Sequence, residues 1–574
     1  GVCNLDDDIK KEIRKFALQN AVEYDGKTNA KIVLAKILGS RSELRNNVKE
    51  VAEECSIIVT NVNASSLSEQ QGEIKTSFPE LLIYTKKSVE ERHGLPPLEG
   101  AVQGEVVTRF PPEPNGYPHI GHAKAAIINE EYAKMYSGKT ILRIDDTNPE
   151  NERLEFYAAI KVGLEWLGIK YHKTKNTSDD LEIIYQKGKE IISSNKAYVC
   201  TCKRDIIGKN RREMKSCKCS QLDQNKNEDR WKKLFDEYSP GQAIVRYRGD
   251  MKSQNTVMRD PFLFRIIEGH HPLLEEKYRV WPSYDFAVAI EDSLDGVTHA
   301  FRSKEYELRN EIYYAILDAL NMRKPKVLEF SRLEFKGMPV SKRVIKPLIE
   351  SGKISWYDDP RLPTLEALKK RGITPEAIRK FIISLSFTKA DTLAPFDALE
   401  SFNRKEVDSK SIRLYQVKNP RKLLIKNLPF TEVEMPNHPS TDMGKRVVEV
   451  DGNIYLSADD TKNIAIGSQL RLMGLGNIKI NRVGNDFEGE FIGDDFNVDF
   501  PKIQWVSQKN SHNLKILIPK QLFIDEKFNE DSLEELEVFT EPHYLGLKDG
   551  AEIQFVRFGY CRKDSANQAI YTHK

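Results

Sequence analysis

One segment, Glu105–Asp146, constrains the fold of this 574-residue chain more than any other. It begins with the strand-like run V-V-T-R-F, continues through the turn-forming P-P-E-P-N-G-Y-P, and enters a helical stretch at about His119–Tyr136. A second strand-like run, T-I-L-R-I-D-D, closes the segment. Strands joined by a crossover helix predict a parallel sheet, whose ligands bind outside the carboxyl ends of the strands. We therefore expect a functional site at the loops after Phe110 and Ile144.

The pattern changes along the chain, which is long enough for several domains of about 100 to 200 residues each. Residues 1–95 show the three-and-four apolar spacing of a helical domain, at Ile9–Leu18, Ala30–Ile37, Val48–Thr60 and Glu69–Tyr84. Gly and Pro residues at 92–104 predict a linker. An α/β domain is expected at 100–325, interrupted by an inserted unit at about 195–275.

Finer elements follow from the same reasoning. We expect helices at Glu152–Leu167, Asp180–Ser193 and Glu305–Leu320, and strands at Ala243–Arg248 and Val257–Ile267. The segment Leu328–Arg343 resembles a hairpin with a glycine turn, inside a helical connecting domain at 326–410. From 411 to 574, short alternating runs separated by turns such as Asp451-Gly452 predict one or two β-barrels.

Composition excludes several classes of protein. The 88 basic and 86 acidic residues leave a net charge of +2, so bulk charge does not indicate a nucleic-acid partner. No apolar run approaches the roughly 18 residues that span a bilayer, and charges interrupt the first thirty residues, where a signal peptide needs an apolar core. We expect a soluble, cytoplasmic protein with no membrane partner. Seven cysteines are too few and too clustered for a disulfide framework.

The strongest chemical signal is Arg109–Ala123, R-F-P-P-E-P-N-G-Y-P-H-I-G-H-A, which follows a strand and opens a helix. Free backbone N–H groups at a helix N-terminus can hold phosphates. Gly121 would let a flat ring approach the backbone, and His119 and His122 share one helix face, where both imidazoles could donate to one phosphate. For the isolated pattern, helix-capping histidines are an equally good interpretation.

The second signal is Met338–Arg343, M-P-V-S-K-R, on a turn rich in Gly and Lys. A mobile loop that brings Ser341, Lys342 and Arg343 to a triphosphate would supply positive charge as pyrophosphate leaves. Alone, such a triplet is usually a solvated turn.

Together the two segments resemble the HIGH and KMSKS signatures of class I aminoacyl-tRNA synthetases. P-P-E-P-N-G-Y-P-H-I-G-H-A-K-A, R-I-D-D-T-N-P, Y-D-F-A and G-V-T-H-A-F-R resemble the glutamyl and glutaminyl subfamily. The helical start and β-rich end of the chain resemble the archaeal type of glutamyl-tRNA synthetase. Pro339, Val340 and Arg343 depart from the KMSKS pattern, which puts the role of its first lysine in doubt.

The resemblance implies a fold and a set of site residues. The fold is a multidomain α/β one, with a Rossmann-type catalytic domain that contains an acceptor-binding insertion, and a C-terminal β-barrel region that binds the anticodon. The implied catalytic residues are His119, His122, Ser341 and Lys342. ATP would be bound by Glu113, Asn115, His119, Gly121, His122, Ser341, Lys342 and Arg343.

The same resemblance places Arg109 and Tyr284 in the amino-acid pocket and Asp145 near the α-amino group. Arg302 follows T-H-A-F, where glutamine-specific relatives carry a small uncharged residue. A guanidinium offers a planar fork of donors to a carboxylate, so Arg302 favours glutamate over glutamine. The alternative is that Arg302 contacts solvent or tRNA.

Two cysteine pairs, C-T-C at 200–202 and C-K-C at 217–219, form a third signal. Cys200, Cys202, Cys217 and Cys219 could close a tetrahedral structural zinc site, and glutamyl enzymes often hold zinc in a similar arrangement. Four reduced thiols in a surface loop are the alternative.

The resemblance implies a monomeric ligase that activates L-glutamate with ATP and Mg²⁺ and passes it to the terminal adenosine of glutamate tRNA. Three alternatives stay open: a glutamyl enzyme that also charges glutamine tRNA, a glutaminyl enzyme, and an inactive tRNA-binding scaffold. Region 401–574 holds 24 basic and 26 acidic residues, so its anticodon role follows from the resemblance and not from its charge.

Overall fold

A computed structural model of the chain describes residues 6–23, 26–78, 94–385, 387 and 392–574. Its Cα positions divide into two compact units, Gly1–Pro96 and Pro97–Lys574. Among the described residues, no helix is both long enough and apolar enough to cross a membrane.

Helices form the first unit, as the apolar spacing predicts. They are α1 Asp7–Glu23, α2 Ala30–Ser40, α3 Val48–Ala64 and α4 Leu67–Ser77. Their apolar faces meet in a core that includes Ile13, Val33 and Val51. Ser66 and Glu69 form a capping box that starts α4. The end of the predicted helix Glu69–Tyr84, beyond residue 78, and residues 92–93 of the predicted linker lie outside the described residues.

The second unit begins with the α/β part. Its strands are β1 Val107–Phe110, β2 Lys139–Ile144, β3 Lys173–Asn176, β4 Ala197–Cys200, β5 Ile244–Tyr247, β6 Phe262–Ile266, β7 Val280–Pro282, β8 His299–Ser303, β9 Lys326–Phe330, β10 Leu333–Phe335 and β11 Thr392–Ala394. Its helices are α5 Ile120–Met135, α6 Leu154–Trp166, α7 Leu181–Ser193, α8 Arg204–Arg212, α9 Gln224–Lys233, α10 Tyr284–Leu294, α11 Asn310–Ala319, α12 Lys342–Glu350, α13 Leu365–Arg371, α14 Pro375–Ser384 and α15 Phe396–Val407.

The predicted parallel sheet is confirmed, with α5 as the crossover between β1 and β2. Strands β1, β2 and β3 pair in that order and all run parallel. The parallel pair β8–β9 lies beside β1, since the amide of Thr298 donates to the carbonyl of Val107 over 2.9 Å. Strand β1 is thus central, and the loop after Phe110 opens at the carboxyl edge of the sheet, where ligands of such sheets bind.

The inserted unit is built on the antiparallel sheet β4–β5–β6–β7. The strand expected at Val257–Ile267 begins only at Phe262, because Thr256–Met258 forms a 3₁₀ turn. The side chain of Asn255 accepts from the amide of Val257, so a local hydrogen bond competes with strand pairing there. Similarly, the helix expected from Glu305 begins as the 3₁₀ turn Lys304–Arg309 before α11.

The hairpin prediction for Leu328–Arg343 holds only at the glycine turn, where Phe335 and Met338 form a single antiparallel bridge. Strand β9 pairs with β8 and β10 pairs with β11, both in parallel register, so the two strands belong to different sheets. Sequence-distant partners provide the hydrogen bonds that an adjacent hairpin strand would have supplied. The glycine turn is confirmed, because Gly337 has φ +73°. Helix α12 then begins at Lys342.

The C-terminal region is β-rich, as expected. Its strands are β12 Ile412–Leu414, β13 Gln416–Lys418, β14 Pro420–Lys426, β15 Glu432–Pro436, β16 Lys445–Glu449, β17 Asn453–Ser457, β18 Gln469–Leu472, β19 Gly476–Arg482, β20 Phe487–Gly493, β21 Lys502–Ile503, β22 Val506–Ser507, β23 His512–Pro519, β24 Phe523–Ile524, β25 Lys527–Phe528, β26 Leu533–Thr540, β27 Glu552–Phe555, β28 Gly559–Ser565 and β29 Gln568–His573, with one short helix, α16 Ala458–Thr461. Fourteen of these strands form two seven-stranded, barrel-like sheets, β12-β27-β28-β29-β23-β26-β13 and β21-β18-β19-β20-β14-β17-β22, each with its own core. The other four form the two-stranded sheets β15-β16 and β24-β25.

Candidate active site

His119 and His122 stand where the carboxyl edge of the sheet meets the N-terminus of α5. The Nδ1 atom of His119 accepts from the amide of Gly121 at 3.1 Å, and Nδ1 of His122 accepts from the amide of His119 at 3.2 Å. Because each Nδ1 is an acceptor, the proton of each neutral ring lies on Nε2. Both histidines therefore cap the helix and still present one N–H donor each, so the two interpretations of the motif are compatible.

Burial sets the charge of these rings. It lowers the pKa of His122 to about 4. Burial, aided by His122 and Arg332, also holds the pKa of His119 well below its usual value. The pair is consequently neutral at physiological pH. A Cβ atom on Gly121 would lie 2.9 Å from Cε1 of His119, so the flat ring that approaches this glycine is that of His119.

The second signature contacts the loop of the first, although the two contacting residues are 227 positions apart in sequence. Ser341, Lys342 and Arg343 are exposed at the start of α12. The Nζ atom of Lys342 donates to the carbonyl of Asn115 at 3.3 Å and lies 5.1 Å from the ring centroid of Phe156. Asn115 belongs to the loop after β1. Glu113 precedes it in the same loop and is exposed. Both signatures therefore face the same edge of the sheet.

Arg109 lies deeper in the protein than the other residues expected in the amino-acid pocket. It is completely buried, with Nε on Asp292 at 2.9 Å and Nη1 on the carbonyl of Phe301 at 2.8 Å. Its Nη2 has no hydrogen-bond partner among the described residues. One edge of the guanidinium is thus fixed by the protein, and the other has no protein partner among the described residues.

Asp292, which the sequence did not indicate, is the buried counter-ion of Arg109. It also pairs with Arg143 at 2.9 Å and accepts from Tyr313 at 3.0 Å. Burial alone would raise the pKa of Asp292, but Arg109 and Arg143 outweigh it and hold the pKa below its ordinary value. A carboxylate in the middle of helix α10 carries no local signal of this role.

Arg302 and Tyr284 are brought together as expected. Arg302 is 3% exposed, and its Nη2 donates to the hydroxyl of Tyr284 at 3.3 Å. The guanidinium carbon lies 5.4, 5.8 and 5.0 Å from the ring centroids of Tyr284, Tyr306 and Tyr313. Contact with bulk solvent is excluded by this burial, and the aromatic rings hold the cation in place.

Asp145 follows β2, where the sequence places it. Its carboxylate accepts from Thr177 at 2.7 Å and from Nε of Arg143 at 3.2 Å. Its amide donates to the carbonyl of Pro112 at 2.9 Å, which ties the loop after β2 to the loop after β1. An anionic group at this edge suits an α-ammonium.

A second buried cluster that the sequence did not indicate includes Asp146, the residue after Asp145. His271 Nε2 is 3.2 Å from Glu152 and 3.6 Å from Asp146, and all three are completely buried. Burial raises the pKa of Asp146 to about 7. For His271, the two carboxylates outweigh burial and raise the pKa. This cluster joins the loop after β2 to the inserted unit.

The four cysteines converge as their spacing predicts. Their sulfur atoms all lie within 4.8 Å of one another, with Cys200–Cys217 and Cys202–Cys219 at 3.8 Å. Four thiolates about 2.3 Å from a zinc ion would be about 3.8 Å apart. Arg230 and Arg246 donate toward Cys219 and Cys217, at 3.4 and 3.9 Å. Donor set, spacing and nearby cations therefore all fit zinc.

A parallel-sheet domain with these two signatures at one edge defines a class I tRNA synthetase. Family models described as "tRNA synthetases class I (E and Q)" match this chain: the catalytic domain at 105–409 and anticodon-binding domains at 411–499 and 502–564. The chain belongs to the archaeal glutamate–tRNA ligase family of this class.

Proteins named glutamate–tRNA ligase resemble it over their whole length. The one from Nitrosopumilus maritimus is 66% identical and that from Cenarchaeum symbiosum 59%, each over 99% of this chain and 100% of the relative. The one from Pyrococcus furiosus is 38% identical over the same shares.

Proposed function

We propose that this enzyme ligates L-glutamate to the 3′ end of glutamate tRNA through a glutamyl adenylate. The observation that carries the proposal is the buried Arg302, whose two hydrogen-bond partners, Tyr284 and Asn310, are both neutral. A buried cation with an unpartnered Nε favours a carboxylate over an amide. The names of the relatives agree with glutamate and disfavour the glutaminyl alternative.

The chemistry needs no protein nucleophile. The α-carboxylate of glutamate attacks the α-phosphate of ATP in line, and pyrophosphate leaves. The Nε2–H groups of His119 and His122 donate to the phosphates, and Lys342 with Arg343 offsets charge on the departing pyrophosphate. Mg²⁺ would accompany ATP and offset the charge of its phosphates. The ribose hydroxyl of the terminal adenosine then attacks the acyl carbon, and AMP leaves.

We assign the remaining pocket residues as the family resemblance implies. Arg109 offers its free Nη2 to the substrate, and Asp145 receives the α-ammonium. Glu113, Asn115 and Gly121 line the approach of ATP, with Ser341 at the start of α12. Structural zinc held by Cys200, Cys202, Cys217 and Cys219 would fix the loop of the inserted unit. The monomeric state and the cytoplasmic location stay predictions, and the charging of glutamine tRNA with glutamate stays an open alternative.

The test compares kcat/KM for glutamate with kcat/KM for glutamine, both measured by ATP–pyrophosphate exchange with tRNA present. Arg302→Ala leaves the substrate carboxylate unpaired, so kcat/KM for glutamate should fall about 30-fold to several thousandfold. Glutamine has no side-chain charge and should lose far less. Lys304→Ala, at an exposed position two residues along, is the control and should keep the wild-type ratio. Equal losses for both amino acids would show that Arg302 does not select glutamate.

A further inference from the structure

The orientation of Arg302 depends on a residue eight positions later. Asn310 is the first residue of α11, and its Oδ1 accepts from Nη1 of Arg302 at 3.2 Å. Its Nδ2 donates to the carboxylate of Glu329. Glu329 is opposite Arg302 in the parallel register of β8 and β9, so the three side chains lie on one face of that pair.

These contacts decide which way the amide of Asn310 points. A carboxylate only accepts hydrogen bonds when ionised, so Glu329 can be met only by the NH₂ end of the amide. The carbonyl end must then face Arg302, whose nitrogens only donate. Two ionic neighbours of opposite sign therefore hold one neutral side chain in a single orientation.

The consequence concerns the charge available to a substrate. Nη1 of Arg302 is bonded to an amide and Nη2 to the hydroxyl of Tyr284, so neither bond adds a negative charge. The buried Nε has no hydrogen-bond partner among the described residues. The guanidinium is thus oriented on two sides while its charge and one donor remain for a ligand.

We propose that Asn310, held by Glu329, is a positioning residue for glutamate specificity: it orients Arg302 with a neutral acceptor and leaves the cation free to pair with the substrate side chain. This inference rests on the proposed role of Arg302. It assigns no contact between Asn310 and substrate.

Asn310→Asp is the sharpest test, because it keeps the shape and adds a charge. The new carboxylate would pair with Arg302 and compete with the substrate, and it would also repel Glu329. The KM for glutamate should rise and kcat/KM should fall about 10- to 100-fold. The kcat/KM for glutamine and the KM for ATP should change by less than about threefold, which is far less than the loss of one charge–charge contact would cause.

Two further variants separate positioning from folding. Asn310→Ala removes the acceptor without adding charge and should lower kcat/KM for glutamate about tenfold. Glu329→Gln keeps an acceptor for Asn310, so the ratio of glutamate to glutamine should remain close to that of the wild type. Thermal unfolding of each variant shows whether it is folded.

The outcomes distinguish this inference from the proposed function. Selective loss of glutamate in Arg302→Ala and in both Asn310 variants supports it. Selective loss in Arg302→Ala alone, with equal losses or none in the Asn310 variants, overturns the positioning role and leaves the glutamate pocket standing. No selectivity in Arg302→Ala overturns both.

Discussion

At the scale of single residues, each histidine of the first signature combines a hydrogen bond that caps the helix with an N–H donor for the substrate. Nδ1 of each ring accepts a backbone N–H, and this bond leaves Nε2–H pointing away from the helix backbone. Capping is usually assigned to Asn, Asp, Ser or Thr, whose shorter side chains offer an acceptor but no donor as far from the backbone as Nε2 of histidine. Histidine provides both, on opposite sides of one rigid ring.

His119→Asn can therefore separate the two roles. Asparagine is a good capping residue, so the free energy of unfolding should change by less than about 1 kcal/mol. The Nε2 donor is lost, and adenylate formation should slow about 10²- to 10³-fold. Single-turnover kinetics and thermal unfolding measure the two quantities. The exposed His270 provides the control, His270→Ala, which should match the wild type. Normal activation by His119→Asn would leave capping as the only role of His119.

At the scale of elements, the cysteine loop and the signature turn are each held by contacts that a few residues create. The loop brings four sulfur atoms into one cluster. The turn places Gly337 against the C-terminal β-rich region, with the amide of Phe523 donating to the carbonyl of Gly337 at 3.0 Å. Each gives a prediction with a control in the same chain.

Purified protein should contain about one zinc ion per chain, since four thiolates complete a structural site. Cys217→Ser should lower the zinc content and expose the loop to limited proteolysis, without changing the KM for ATP. Cys561 is buried far from this cluster in sequence, so Cys561→Ser should retain the metal. Elemental analysis decides between these results. Zinc-free protein prepared without chelator would contradict the site.

Gly337 and Gly352 allow a matched comparison of turns. Both have left-handed backbones, with φ +73° and +70°. A Cβ atom at Gly352 meets nothing within 4 Å, whereas at Gly337 it would lie 2.4 Å from the carbonyl oxygen of Phe523. Gly352→Ala should cost about 1 to 2 kcal/mol of backbone strain. Gly337→Ala should cost more and should also slow activation, because the turn that leads to Ser341 and Lys342 must move.

Denaturant unfolding and ATP–pyrophosphate exchange measure these two effects. Equal destabilisation by the two substitutions would mean that the contact with Phe523 adds nothing to the stability of the turn.

At the scale of the whole molecule, the last strand is joined to the connecting helices through His573. This residue is completely buried, and its Nε2 accepts from Nδ2 of Asn403 at 3.0 Å. The oxygen of Asn403 is already bonded to Thr374, so the amide cannot turn to accept a proton from the ring. Burial, with Arg404 and Arg371 nearby, lowers the pKa of His573 to about 4.

The pKa of His573 predicts a loss of stability in acid. A histidine in the unfolded chain has a pKa of about 6.5. Below that pH the unfolded state therefore binds a proton, while His573 in the folded state stays unprotonated until the pH approaches 4. Stability should fall as pH drops from about 6.5 toward 4, by about 2 kcal/mol at pH 5 from this residue. His573→Gln does not titrate and should lose correspondingly less. Denaturant unfolding from pH 7.5 to 5 measures the difference. Parallel curves would exclude His573 as the cause.

The amino-acid sequence by itself determined the helical first unit, the parallel sheet with its crossover helix, the β-rich end and the cysteine cluster. Each of these follows from a local pattern: apolar spacing repeats within one element, turns follow glycine, and a motif keeps its spacing wherever it occurs. The signature histidines and the partnership of Arg302 with Tyr284 were predictable because motifs carry them.

Only the tertiary structure decided how those elements pair and which side chains contact one another. Strand β10 pairs with a segment nearly sixty residues later and not with its neighbour β9. Asp292 neutralises two arginines, and Asn310 sets the direction of Arg302. Such contacts depend on the register of distant strands and on which faces are packed together, and nothing in the neighbouring sequence encodes either. Burial then fixes the charges of His119, His122 and His573, because the cost of desolvation exists only once the chain is folded.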